Sequence, residues 1–475
     1  MALHHTLPQV LTRRHLLACC TGLASLALLA ACGERSSATS VSTSQEESTA
    51  LLPAHASTQT IIRTAAVSRT PQAAQVTVTF TSPGGQVEDA AFQPVFAAFA
   101  KRYPNIAGLY RPYNTGYTSE YDNKLLTALA GDVGPDCFKV WPAQYFGALA
   151  AKGTLVTLDP YIARDPSIDL PDFFPEHLAA CKFNGKYYAL PNDGAPMAMW
   201  YNVDLFKKYG VGLPTWSWTW DDLLTAARTL TQSANGRYIQ FGLGRPDWLS
   251  WVWSNGGEVL DPTGTTCLLN RPSAVAALQW IQDRALKDHV IPSPGDLQTV
   301  NASQLFMTGR LATSFGVRGD LGTYKSIQNS HFDAAPLPKS PHTGKRVASL
   351  GIGYTSLWTG SKHPEQAFTL AAWIASPTGE KLRISTGFAY PSRKSLVDQD
   401  WLARYRAPMA ASYAINTVFT EELKHGEARA WTPTAKDQQI LIAINSELSY
   451  LWDGSKSAKE MADVIVQKVN AVLHS

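Results

Sequence analysis

Two hydrophobic periods alternate along this chain, one of two residues and one of about 3.6, and their succession predicts an α/β architecture. From Val76 to Phe80 β-branched and polar residues alternate as in a strand, which closes at the turn Ser82-Pro83-Gly84-Gly85. Phe92, Val95, Phe96 and Phe99 then recur at helical spacing until Tyr103-Pro104 stops them. Leu125, Leu126 and Leu129 mark a second helix closed by Gly131, and residues 136–140 (DCFKV) form a short strand. Ligand in such a lobe sits at loops beyond the strand ends.

A second lobe is expected after residues 187–191 (YYALP), with a strand over 197–201 and a helix from Asn202 that fades at Tyr209-Gly210. Thr219-Trp220-Asp221-Asp222 fits a capping box, in which Thr219 accepts from an orphan backbone N–H and Asp222 reaches back. Further helices are expected over 274–287, 364–374 and 437–452. No tandem repeat of 20 to 50 residues is found.

The N-terminus follows a different rule. Arg13 and Arg14 precede an apolar run over 16–31 that ends in Leu29-Ala30-Ala31-Cys32, the pattern of a secretory signal with a lipobox. Thr21, Gly22 and Ser25 interrupt the run, so it predicts a cleaved address rather than a span. Cys32 is the expected lipidation site and mature N-terminus. Residues 12–17 (TRRHLL) fit a twin-arginine signal or an ordinary positive n-region of the general secretion route. Residues 32–75, rich in Ser, Thr, Ala and Gln, predict a flexible tether.

Length and charge narrow the classes. The 475-residue chain, even without its first 31, exceeds the roughly 250 to 300 residues at which one core stops growing. The formal charge of +3 loses two units with Arg13 and Arg14, leaving no basic field for nucleic acid. Beyond Cys32, only Cys137, Cys181 and Cys267 remain, without metal spacing, and buried free thiols are expected. No metal, cofactor or catalytic residue is expected, since GxSxG, HExxH and P-loop patterns are missing.

The order of the motifs resembles the family 1 extracellular solute-binding proteins of ABC importers, whose members mostly bind sugars. The resemblance is carried by residues 96–106 (FAAFAKRYPNI), 125–136 (LLTALAGDVGPD), 185–191 (GKYYALP) and 200–210 (WYNVDLFKKYG). It continues through 214–223, 306–316 (FMTGRLATSFG), 335–338 (APLP), 350–361, 375–387 and 390–393 (YPSR). It implies a type II periplasmic-binding-protein-like fold of two α/β lobes joined by a multi-segment hinge. The expected N-terminal lobe is 76–191 plus 347–391, and the C-terminal lobe 192–346 plus 392–475. Crossings are placed near Pro191–Ala195, Lys345–Ser349 and Tyr390–Arg393.

The implied function is capture of a mono- or oligosaccharide by a monomeric lipoprotein on the outer face of the cytoplasmic membrane, for delivery to ABC permeases. Three other readings stand beside it: a module feeding a sensor, a binder of polyamine, metal chelate or peptide, and an exported glycoside hydrolase.

A pyranose offers weakly polar C–H faces and a rim of hydroxyls, so its site needs aromatic rings plus carboxylates, amides or Arg at the edges. Among fourteen Trp, Trp141 follows the strand 136–140, and Trp248 and Trp251 share a helical face from which Trp253 points away. Tyr354 follows Gly351-Ile352-Gly353 in what resembles the family's Gly-rich loop at the cleft. Asp193 at a crossing is a hydroxyl acceptor or a turn residue, and Arg318 after a strand is a hydroxyl donor or a lobe-to-lobe ion-pair partner. Ser82, Gly84 and Gly85 offer backbone N–H groups; Trp431, Asn114 and Tyr117 complete the candidates. Trp141→Ala or Tyr354→Ala is expected to weaken binding without unfolding the chain.

Overall fold

The computed structural model describes residues 75–141, 145–387, 389–397 and 414–475. The expected export signal, Cys32 and all of the expected tether but Gln75 lie outside the described residues. Thirteen described strands carry the fold. They are β1 (Val76–Thr81), β2 (Ile106–Tyr110), β3 (Cys137–Val140), β4 (Lys182–Phe183), β5 (Lys186–Tyr187), β6 (Ala189–Pro196) and β7 (Ala198–Asn202). Then come β8 (Gln232–Ala234), β9 (Arg237–Gln240), β10 (Thr313–Gly316), β11 (Phe332–Ala335), β12 (Ala348–Leu357) and β13 (Ala428–Arg429).

One mixed sheet runs in the order β13-β12-β3-β1-β2, with β6 also paired to β12. Strands β1, β2 and β3 are parallel, while β12 runs antiparallel to β3 and β6. The alternation of β1 buries Val78 and Phe80 against Phe92, Val95 and Phe99 of the helix Gln86–Arg102. Burying each of these side chains contributes roughly 1.5 to 3 kcal/mol. That helix starts at Gly85, whose φ of 117° suits only glycine. Acidic Glu88 and Asp89 in its first turn and basic Lys101 and Arg102 in its last complement the helix dipole.

The second sheet is antiparallel, β10-β7-β11, with β7 central and all five of its residues buried. Around it pack the helices Trp220–Leu230, Trp248–Ser254, Pro272–Leu286, Asp437–Leu448 and Ala458–Leu473. The Thr219/Asp222 capping box forms as the spacing predicts: Thr219 Oγ1 accepts from the Asp222 N–H, and Asp222 Oδ2 accepts from the Thr219 N–H at 2.8 Å. Cys137, Cys181 and Cys267 are buried free thiols. No helix among the described residues is long and apolar enough to cross a membrane.

Between the sheets the chain passes on extended strands. Strand β6 ends at Pro196 in the first sheet and β7 begins at Ala198 in the second. The Met197 N–H donates to Ser349 O at 2.8 Å, and the Gly194 N–H to Tyr390 O at 3.3 Å, so three distant segments are bonded side by side. The expected Gly-rich loop at 351–353 is instead the middle of the ten-residue strand β12. Residues 351–353 pair in register with Asp193–Ala195 of β6, which leaves no loop there.

Candidate functional site

Neighbouring residues of a strand point to opposite faces, and on β12 that rule sorts the site from the core. A Cβ at Gly351 would come within 2.7 Å of the Trp141 ring, and one at Gly353 within 2.3 Å of the Asp193 carboxylate and 2.7 Å of Lys139. These two glycines leave room for an aromatic ring and an ion pair on one face. Tyr354 points to the other face, 1% exposed, with its ring 5.3 Å from Phe146.

On the Gly351 face lies a cavity of about 350 Å³. The first sheet and its loops supply Tyr117, Lys139, Trp141 and Asp193; the turn after β10 supplies Val317 and Asp320; Tyr390 closes a side. Trp141 and Tyr117 meet edge to face, centroids 5.7 Å apart at 80°. Together they form an aromatic corner, with Lys139 Nζ over the Tyr117 ring at 5.4 Å from its centroid. Tyr117 remains 43% exposed along its ring, while its hydroxyl turns inward, donating to Glu88 Oε1 at 2.8 Å and accepting from Lys139 Nζ at 3.0 Å.

Behind that corner is a buried ionic network. Lys139 Nζ lies 3.2 Å from Glu88 and 3.0 Å from Asp193, and Arg383 Nη1 reaches Asp193 at 3.3 Å. Burial pushes the Asp193 carboxyl up, but Lys139 and Arg383 outweigh it and hold the group below its usual range. Burial and the Glu88 charge keep the Tyr117 hydroxyl protonated well past its ordinary value. Asp320, on the opposite wall, differs: burial raises its carboxyl to about 6, opposed by the Val317 N–H alone.

The sequence candidates divide accordingly. Trp141, Asp193 and Tyr117 come together at the cavity. Ser82 and Gly84 stand behind it, where Ser82 Oγ (3.1 Å) and the Gly84 N–H (2.8 Å) donate to Glu88, because their N–H and O–H groups serve the ionic network. Gly85 caps its helix, and Asn114 packs on Gly84; neither lines the cavity. Trp251 is 1% exposed, stacked on Trp220 at 5.8 Å and 16° and edge-on to Phe315. Trp248, half-buried against the same core, does not line the cavity either. The helical face shared by these two Trp is the face their helix turns inward. Arg318 is buried and donates to Gly387 O at 2.6 Å, so its guanidinium serves the fold while Asp320, two residues on, faces the cavity.

Trp431 lines a second cavity of about 640 Å³ with Trp253, Glu258 and Arg429. Phe146, under Tyr354, is followed by Gly147, which packs on the Thr434 carbonyl of that cavity's wall. Trp431 therefore lies on the opposite side of β12 from Trp141. Lys139, Asp320 and Tyr390 also line the first cavity and are not among the sequence candidates. A lone Lys inside the apolar strand Cys137-Phe138-Lys139-Val140 was the available signal, since a charge there demands buried partners.

His177 supports the floor of the first cavity. Its Nε2 donates to the carbonyl of Gly194, a lining residue, at 3.2 Å. Burial lowers its pKa to about 4, so the unfolded chain, near 6.5, binds the proton first as pH falls. The stability it contributes is complete above pH 6.5 and lost toward pH 4, by about 3 kcal/mol. Glu380, raised to about 7 by burial, acts with the opposite sign over nearly the same window. The expected result is therefore a difference: H177Q should gain relative to the wild type by about that amount between pH 6.5 and 4 in urea titrations. Parallel profiles would refute it.

Comparison with known proteins identifies the family. The family of bacterial extracellular solute-binding proteins matches residues 83–381, well over half of the chain. The chain is 27% identical over 297 residues to the arabinooligosaccharide-binding protein of Bacillus subtilis, covering 59% of this chain and 65% of that protein. It is 27% identical over 236 residues to a probable ABC transporter-binding protein of Deinococcus radiodurans, covering 46% and 54%. It thus spans between about half and two thirds of the length of these two relatives. An ABC substrate-binding protein of Listeria monocytogenes, solved in complex with cycloalternan, superposes with a TM-score of 0.74 at 23% identity, over 84% of this chain and 99% of that one. A family match of this extent and a shared two-lobed α/β fold place the chain among the bacterial extracellular solute-binding proteins.

Proposed function

We propose that this protein captures a carbohydrate in the 350 Å³ cavity and delivers it, chemically unchanged, to the permease of an ABC importer. The observation that carries the reading is the Trp141/Tyr117 corner, two rings suited to the C–H faces of a sugar, beside Asp193 from a crossing strand and Asp320 from the facing wall. Carboxylates accept the hydroxyl hydrogens that line a sugar's edge. A relative named for arabinooligosaccharide and a structural neighbour solved with cycloalternan point the same way.

The lobes are assigned as 76–191 with 347–391, and 192–346 with 392–475. The three crossing segments form the hinge, which the side-by-side bonding of Gly194 to Tyr390 and Met197 to Ser349 supports. Closure would remove solvent from both walls at once, and the ligand favours the closed form through contacts that only that form offers. A lipid on Cys32 would hold the protein at the outer face of the membrane.

A thermal-shift screen of the purified protein against mono- and oligosaccharides tests the proposal. A bound sugar at a hundred times its dissociation constant should add about 2.7 kcal/mol of apparent stability. The same sugar should be recovered intact at one per chain. Product formed at catalytic turnover, or no shift with any saccharide, would overturn the reading.

A further inference from the structure

Charge on the walls of the cavity is unevenly balanced. On the first wall every ionised group has its counterion: Glu88 and Asp193 share Lys139, at 3.2 and 3.0 Å, and Asp193 also meets Arg383 at 3.3 Å. On the second wall stands Asp320. Among the described residues its carboxylate has no ion pair, and Gly316 at the end of β10 makes the space it occupies, since a Cβ there would lie 1.9 Å from Asp320 Oδ2. Arg318, two residues earlier, is turned to the Gly387 carbonyl.

A neutral sugar enclosed between these walls would strip water from a carboxylate that has no counterion, and an uncompensated buried charge opposes closure. Hydroxyls alone would satisfy its lone pairs without neutralising it. A cation delivered by the solute does both, and the Trp141 ring beside it attracts positive charge as well. We infer that the solute carries a protonated amine, as in an amino sugar, received by Asp320 while the ring packs on Trp141. This rests on the saccharide reading of the same cavity and narrows its class.

Isothermal titration calorimetry at pH 7 on the purified protein, with matched pairs, separates the two. The pairs are glucosamine and glucose, galactosamine and galactose, and chitobiose and cellobiose, with N-acetylglucosamine as a neutral nitrogen control. At that pH Asp320, near 6, is ionised. At least one amine should bind ten times or more tighter than its neutral partner, and the acetylated sugar should follow the neutral one. D320N, shown folded by an unchanged melting profile, should abolish the preference, bringing the amine and its neutral partner to within threefold of each other whatever it does to their common affinity. Neutral sugars that bind as tightly as their amines, or a preference that survives D320N, would overturn this inference and leave the carbohydrate reading standing. No binding by any of these sugars, in a protein that also fails the saccharide screen, would overturn both.

Discussion

Replacing Lys139 with Met should destabilise this protein by about 3 to 5 kcal/mol, the cost of leaving buried charge without its partner. The side chain is 2% exposed and lies between Glu88 and Asp193, so its loss takes a counterion from both carboxylates. Asp193 keeps Arg383, but Glu88 would retain only hydrogen bonds from Ser82, Gly84 and Tyr117. Glu88 is thus the group that should answer. Urea unfolding followed by tryptophan fluorescence should show a lower midpoint at an unchanged slope. Adding Glu88→Gln to the Met variant should return part of the loss, because a neutral amide needs no counterion. A Met variant within 1 kcal/mol of the wild type, or no recovery in the double variant, would mean the network does not hold the first wall together.

The same network shows what could be read from the chain alone and what could not. Periodicity is local, so β1, the Thr219/Asp222 cap and the helix Pro364–Ile374 were legible from their own residues. The direction of a side chain is not local. Trp248 and Trp251 were correctly placed on one helical face, but only the packing of that helix on Trp220, Trp280 and Phe315 decides that the face is the core. The strand-end rule led to the turn after β10 and selected Arg318, whereas the tight turn Arg318–Asp320 directs the third residue, not the first, into the cavity. Ser82 and Gly84 offer donors that serve Glu88, the first through its hydroxyl and the second through its N–H, and Glu88 sits in the first turn of a helix with its long-range partner, Lys139, 51 positions away. Pairings of that length are set by sheet order, which the parallel alignment of β1 with β3 supplies.

Tyr354 and Trp141 should part company under substitution, because β12 puts the two rings on opposite sides. Tyr354→Ala removes a fully buried ring packed on Phe146 and should cost about 3 to 5 kcal/mol of stability. Trp141→Ala empties part of a half-open wall and should change stability by less than about 1 kcal/mol. For a bound saccharide the order reverses. Loss of one ring buried against the ligand, at about 1.5 to 3 kcal/mol, corresponds to a roughly tenfold to 150-fold weaker affinity for the Trp141 variant. Whatever fraction of the Tyr354 variant remains folded should bind nearly as the wild type does, since no atom of that ring lines the cavity. Paired urea melts and titrations with the sugar that gives the largest thermal shift would show the crossing. If Tyr354→Ala melts like the wild type yet loses the sugar, the tyrosine faces the ligand, and the division of β12 into a site face and a core face is wrong.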